Sequence, residues 1–181
     1  MATITKSKVE ILDSIMDYKD QEKLWYLYHT AFRKLNENSP SRQSFTMGEF
    51  MKLMGDGEMT KFILRDIDGK IVGLGLATNN LSKVPWISQD FFRKRYPLHF
   101  ENRIVYYIEC LVVSGGLKPF SGLTLLASMI DYFPGGSVGC FDFSERNNGS
   151  MPIFVERAGA KKAKRGTLLD RQVYYAFEKD T

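Results

Sequence analysis

Cysteine and histidine are scarce in this 181-residue sequence, which contains two of each. Cys110 and Cys140 are too few for a disulfide framework, and both lie in apolar segments, where a free buried thiol is common. His29 and His99 are far apart and do not have the spacing of zinc ligands. We therefore expect no metal site.

Long apolar runs are also missing. No segment approaches the roughly 20 apolar residues that a membrane helix needs, and the first residues contain no apolar core like that of a secretory signal. We therefore expect a cytoplasmic protein with no membrane partner. Apolar residues make up 44% and charged residues 25% of the chain, which excludes a disordered polypeptide. The length predicts a single domain over 1–181.

Charge of one sign is only mildly in excess, with a net charge of +4. Basic residues gather at 93–95 and 161–165. These clusters are either solvated faces or a surface that attracts a phosphorylated cofactor or nucleic acid. Because no nucleic-acid-binding motif accompanies them, we do not expect a nucleic-acid partner.

Local patterns in the first half predict a strand, two helices and a hairpin. Asp17 is placed to cap the first helix, and Asp68-Gly69 supplies the positive φ angles of a tight hairpin turn. The predicted elements are a strand over 8–15, helices over 18–36 and 46–54, and strands over 60–67 and 70–78.

An aromatic insert follows at 80–102, where connections between paired strands are usually short. Ser88 is placed to cap a short helix that runs to Arg95. The aromatic side chains of the insert cover either the sheet edge or a binding pocket.

The stretch from 103 to 133 is the most informative part of the chain. Residues 104–113 predict a strand buried on both faces, with one carboxylate, Glu109, inside it. A turn rich in glycine and proline follows, and then a helix with Ser121 as its predicted cap. The N–H groups of such a loop and of the first helical turn suit a phosphate-bearing cofactor. We therefore predict an anion site beside Glu109.

The last quarter of the chain predicts three strands and one helix. A turn at 134–136 leads into a strand over 137–144, and a loop at 146–149 precedes a helix over 151–158 with Pro152 in its first turn and Gly159 as its stop. An edge strand over 161–167 and a strand over 169–178 complete the prediction. The fold class is therefore α/β, with a mixed, mostly antiparallel central sheet and flanking helices.

Three segments resemble the GNAT superfamily of acyl-CoA-dependent N-acyltransferases. Residues 108–113, Ile-Glu-Cys-Leu-Val-Val, resemble the family's fourth strand. Residues 118–124 are similar to its pyrophosphate loop: Gly122 matches the middle glycine, Thr124 replaces the last small residue, and Pro119 stands at the usual Arg/Gln position unless a one-residue shift lets Lys118 serve. Asn148 and residues 154–160 resemble a later family segment, with Val155 at the position of its usual tyrosine.

The resemblance implies a GNAT-like fold and transfer of an acyl group, most simply acetyl, from coenzyme A to a primary amine on a small molecule or peptide. Acetyl-CoA or another acyl-CoA would be the cofactor. It assigns Glu109 as catalytic base and leaves a homodimer open. The implied cofactor-binding residues are Leu111, Val112, Val113, Lys118, Phe120, Ser121, Gly122, Leu123, Thr124, Asn148 and Phe154. The implied substrate-binding residues are Trp86, Phe91, Phe92 and Tyr174.

The chemistry of amine acylation explains why a buried carboxylate is useful. An alkylammonium has a pKa of about 10.4, so only about one amine in a thousand is neutral at pH 7, and burial of Glu109 would raise its pKa and its strength as a base. Alternatively, Glu109 is a structural residue paired with Arg103 or a backbone group. The general acid is open among Tyr174, Tyr175, Ser144 and water. A second hypothesis is an inactive GNAT-like module that binds a protein, a small ligand or nucleic acid.

Overall fold

A computed structural model describes residues 8–40, 44–115, 120–159 and 166–172 together with residues 174, 176 and 179. Five strands, seven α-helices and one 3-10 turn lie in these residues. In chain order they are β1 (Lys8–Leu12), α1 (Tyr18–Asn38), α2 (Met47–Gly55), β2 (Thr60–Arg65), β3 (Ile71–Thr78), the 3-10 turn (Leu81–Lys83), α3 (Gln89–Arg95), α4 (Pro97–Glu101), β4 (Val105–Val113), α5 (Phe120–Tyr132), β5 (Val138–Cys140), α6 (Glu145–Asn148) and α7 (Met151–Ala158).

The strands form one mixed sheet in the order β1-β2-β3-β4-β5. Neighbours pair antiparallel from β1 to β4, whereas β5 pairs parallel to β4. Only the β4–β5 pair needs a crossover helix, and α5 supplies it. The predicted fold class, a mixed and mostly antiparallel sheet with flanking helices, is confirmed.

Helix starts agree with their sequence signals. Asp17 accepts a hydrogen bond from the Asp20 N–H at 3.0 Å, and Ser88 accepts one from Phe91 at 3.2 Å. Thr46 and Glu49 form a reciprocal capping box at the start of α2. Each interaction satisfies an N–H that would otherwise lack an intrahelical partner.

The sheet separates two apolar layers. Helices α1 and α2 cover one face, where Leu24, Tyr28 and Phe50 pack on side chains of β2, β3 and β4. Helix α5 covers the other face through Leu125 and Met129. A third cluster joins the insert to the start of β4 and to β5, so the insert covers this end of the sheet.

The β2–β3 hairpin is confirmed, but its turn differs from the prediction. Gly69 has a φ of +79°, whereas Asp68 does not lie in the left-handed region. Asp66 and Lys70 close the turn through an N–H to carbonyl bond of 3.0 Å, and the strand pairing shifts between Leu64 and Arg65. One left-handed glycine and a bulge replace the predicted pair of positive φ angles.

Several other predictions were wrong in detail. Strand β1 ends at Leu12, and β4 alternates between buried and half-buried side chains instead of being buried on both faces. Ser121 lies inside α5, which begins at Phe120, so it is not the cap.

The predictions for the last quarter were the least accurate. Only 138–140 of the predicted strand 137–144 pairs with β4, and the predicted loop 146–149 holds most of α6. The described residues within 161–178 form no strand, and residues 161–165 lie outside the described part. The described helices include none that is long and apolar enough to cross a bilayer.

Candidate active site

Among the described residues, strand β4 has an open edge over its second half. Strand β5 pairs with it only at Val105↔Val138, Tyr106↔Gly139 and Tyr107↔Cys140. Strand β4 continues to Val113, and no strand among the described residues pairs with that edge beyond Tyr107. The edge peptide groups therefore remain available to a ligand that pairs like an added strand.

A pocket of about 180 Å³ lies beside this open edge. Helix α7 closes its far side: a Cβ built on Gly122 would lie 3.1 Å from Cζ of Phe154. A larger residue at Gly122 would therefore press on Phe154 or enter the pocket. The lining residues are Leu111, Val112, Val113, Gly122, Ser150, Met151 and Phe154.

The predicted cofactor-binding residues fall into two groups. Leu111, Val112, Val113, Gly122 and Phe154 line this pocket. Ser121, Leu123, Thr124 and Asn148 do not line it: the first three belong to the first turns of α5, and Asn148 is exposed at the end of α6. Lys118 lies outside the described residues. Phe120 begins α5. Ser150 and Met151, which sequence reasoning missed, line the pocket because α7 packs on α5.

Glu109 occupies an irregular position in β4. Cys110 pairs with Leu76 and Ile108 pairs with Ala77, so Glu109 is the extra residue of a bulge. Its side chain is half-buried, but both carboxylate oxygens are fully buried and have no hydrogen-bond partner among the described residues. Bulges often re-aim a side chain beside a functional site, and an unpaired buried carboxylate needs an explanation in functional or structural terms.

The surroundings of Glu109 raise its pKa from the ordinary 4.5 to about 8. Burial is the main cause, and the negative charges of Asp56 and Asp142 act in the same direction. The alternative in which Glu109 pairs with Arg103 or a backbone group does not occur among the described residues, because neither carboxylate oxygen of Glu109 has a partner there. The guanidinium of Arg103 lies 3.7 Å from Glu58 instead. The expected rise in the pKa of Glu109 is confirmed.

A hydrogen-bonded chain lies next to Glu109. The phenol of Tyr107 donates to the carboxylate of Asp142 and accepts from Nε1 of Trp86 at 3.2 Å. Tyr107 is two residues before Glu109 on β4. Sequence reasoning missed Tyr107, although period-two spacing puts alternate residues of a strand on one face. The sequence around Asp142 does not predict its position at this site, because its contact with Tyr107 joins residues that are 35 positions apart.

The predicted substrate-binding residues do not share one location. Trp86 lies beside Tyr107, whereas Phe92 is buried in the cluster that joins the insert to β4. Phe91 and Tyr174 are exposed. The insert also lines a separate pocket of about 100 Å³, whose lining includes the polar side chains Asn79, Asn80, Gln89 and Arg103.

The candidate general acids differ in their surroundings. Ser144 is half-buried and accepts a hydrogen bond from Asn147 at 2.8 Å. Tyr174 is 56% exposed, and Tyr175 lies outside the described residues. Val155, at the position of the family's usual tyrosine, is half-buried in α7 and has no group that can donate a proton. The described residues contain no cluster of three metal-ligating side chains.

Comparison with solved structures adds a likeness of the whole fold. The chain is similar to an aminoglycoside acetyltransferase from an uncultured soil metagenomic sample, solved in complex with trehalose, with a TM-score of 0.56 and 14% identity over 95% of this chain and 97% of that chain. An aminoglycoside acetyltransferase structure from the same source in complex with sisomicin gives a TM-score of 0.55 with the same identity and coverage. The chain therefore shares its overall fold with these two structures. No protein-family model and no curated protein sequence matches the chain.

Proposed function

We propose that this protein is an acyl-CoA-dependent N-acyltransferase that transfers an acyl group, most simply acetyl, to a primary amine with Glu109 as the base. One observation carries the proposal: the open edge of β4 borders a pocket, and the same strand holds a buried carboxylate that has no hydrogen-bond partner in the described part of the chain. This carboxylate lies two residues before the first pocket residue, Leu111. The fold shared with the two acetyltransferase structures supports the proposal.

The pocket fits the narrow part of an acyl-CoA donor. Its volume of about 180 Å³ is below the roughly 300–1,000 Å³ of pockets that enclose a whole ligand. The pantetheine arm would lie along Leu111–Val113 and pair with the strand edge. The phosphates would lie outside, toward the first N–H groups of α5.

The proposed reaction needs a neutral amine at the inner end of this pocket. The acyl thioester would supply an electrophilic carbonyl carbon, and the neutral amine nitrogen would bond to it as the C–S bond breaks. The nitrogen then loses a second proton, which the thiolate takes up, so coenzyme A leaves as a thiol. Glu109 accepts the proton that the ammonium must lose. The pKa of Glu109, about 8, lies closer to the pKa of an ammonium than the pKa of an ordinary carboxylate does. Transfer of the proton from the ammonium to Glu109 is therefore less unfavourable. We expect kcat/KM to rise with pH as Glu109 ionises.

Binding of acetyl-CoA to Gly122→Glu tests the donor site. The new carboxylate meets Phe154 or enters the pocket, so we expect the Kd from isothermal titration to rise at least tenfold. Gly135→Glu is the matched control, because a Cβ at Gly135 meets no atom within 4 Å and this residue lies in an exposed turn. Absence of acetyl-CoA binding by the wild-type protein at millimolar concentration would refute the proposal.

The second candidate is an inactive module that retains the fold and binds a ligand. Val155 favours it, since this half-buried valine cannot protonate a leaving thiolate. Binding of acetyl-CoA without release of free thiol across a panel of amines would support this candidate over the enzyme.

A further inference from the structure

The carboxylate of Asp142 is held in a defined orientation beside the candidate active site. The phenol of Tyr107, which is 2% exposed, donates to one oxygen of Asp142. The indole of Trp86 donates to the same phenol and packs edge-on against its ring, with 6.5 Å between the ring centroids. A buried donor that is itself fixed by a second donor leaves the carboxylate little freedom to rotate.

Asp142 can accept a further hydrogen bond or ion pair from a ligand on its solvent side. Its side chain is exposed, and its second oxygen has no hydrogen-bond partner among the described residues. Asp142 follows Cys140, the last residue of β5, by two positions, so it stands where β4 and β5 part. Trp86 is 49% exposed next to it. An exposed carboxylate beside a partly exposed aromatic residue suits an ammonium group.

The charges around Glu109 point to the same kind of ligand. Asp142 and Asp56 both act on Glu109 as negative charges. Asp56 is already paired with Lys83 at 2.8 Å, whereas the carboxylates of Glu109 and Asp142 have no cation paired with them in the described part of the chain. A monoamine at Glu109 would leave Asp142 without a cation. A diamine could supply one to each.

We propose that Asp142, oriented by Tyr107 and Trp86, is a specificity-determining residue that binds a second ammonium group of the acceptor, so that the preferred acceptors are diamines or polyamines. This inference rests on the proposed acyl transfer. The expected contribution is about tenfold in kcat/KM, equivalent to about 1.4 kcal/mol, which is typical of one charge pair at a partly exposed site.

The test compares putrescine with n-butylamine, which lacks the second amino group. The variant Asp142→Asn removes the charge and keeps an oxygen that can accept from Tyr107. Because the charge of Asp142 also raises the pKa of Glu109, the substitution alters the pH dependence for both amines, and the readout is the ratio of the two kcat/KM values. We expect this ratio, putrescine over n-butylamine, to fall about tenfold, mainly through a higher KM for putrescine. Tyr107→Phe keeps the carboxylate of Asp142 but removes the hydrogen bond that orients it. We expect this variant to lose less kcat/KM than Asp142→Asn does, and again for putrescine alone.

Asp68→Asn is the matched control, because it makes the same chemical change in the exposed β2–β3 turn. It should leave both amines unaffected. An equal loss for both amines in Asp142→Asn would overturn the inference, since a residue with only a structural role would affect them alike. Equal kcat/KM values for the two amines in the wild-type protein would also overturn it.

Direct binding separates this inference from the proposed function. Isothermal titration of putrescine and n-butylamine with acetyl-CoA present needs no turnover. Tighter binding of putrescine that disappears in Asp142→Asn supports the inference even if no thiol is released, in which case the enzyme proposal fails alone. Acetylation of both amines without this binding difference refutes the inference and leaves the enzyme proposal standing.

Discussion

Replacing Glu109 with glutamine tests whether the carboxylate is kept for chemistry at the expense of stability. Glutamine has nearly the same shape but cannot ionise. In the folded protein both oxygens of Glu109 are buried and have no partner within the residues that the structure describes, so the charged form is poorly solvated there. In the unfolded chain water solvates it. The substitution therefore removes a charge that folding must bury.

The expected magnitude follows from the pKa of Glu109. Folding raises it from 4.5 to about 8, and at about 1.36 kcal/mol per pKa unit this corresponds to an upper bound of about 5 kcal/mol. Water entry and structural relaxation reduce such penalties, so we expect about 2–4 kcal/mol. The unpaired amide of glutamine adds a cost that does not depend on pH, and it cancels when one protein is compared across pH values.

The sign of the pH dependence is fixed by linkage. Below pH 4.5 the carboxyl is protonated in the folded and unfolded states, so it does not affect the free energy of unfolding. Between pH 4.5 and about 8 only the unfolded state releases the proton, and the wild-type protein loses stability as pH rises. Above that range the loss is complete. Glu109→Gln lacks this loss.

Urea denaturation of both proteins at pH 5, 7 and 9 measures the difference. The stability of Glu109→Gln relative to wild type should increase by about 2–4 kcal/mol between pH 5 and pH 9. Glu109→Gln should also be less active than the wild-type protein. If Glu109 is the base, its kcat/KM should be lower by about 10²–10⁴-fold. A pH-independent difference in stability would show that Glu109 is not a buried titrating group. It would also contradict the proposal that Glu109 is a base with a raised pKa.

Two local predictions test the packing and capping described above. Gly75→Ala should destabilise the protein by about 1–3 kcal/mol, because the new Cβ would lie 2.6 Å from Sδ of Met129. The control Gly48→Ala, which meets no atom within 4 Å in α2, should stabilise by about 0.4–1 kcal/mol; urea midpoints of the two variants that move in the same direction would contradict the packing argument. Thr46→Ala should cost about 0.5–2 kcal/mol through loss of the capping box, and an unchanged midpoint would show that water replaces the cap fully.

The sequence alone determined the elements whose signals are local. Asp17 and Ser88 mark helix starts because the side chain of a cap bonds an N–H two or three residues away. Gly69 marks the hairpin because few other residues adopt its positive φ. The isolated carboxylate in an apolar strand likewise identified Glu109 as a buried group with a raised pKa.

Tertiary structure decided everything that depends on where strands stop pairing. The residues after Cys140 have strand-like composition, yet they leave the sheet, and this departure opens the edge of β4. It also brings Asp142 to Tyr107 across 35 positions of sequence. Residue spacing sets helix caps and turns, but contacts between distant segments are set by the packing of the whole sheet, which no local pattern encodes.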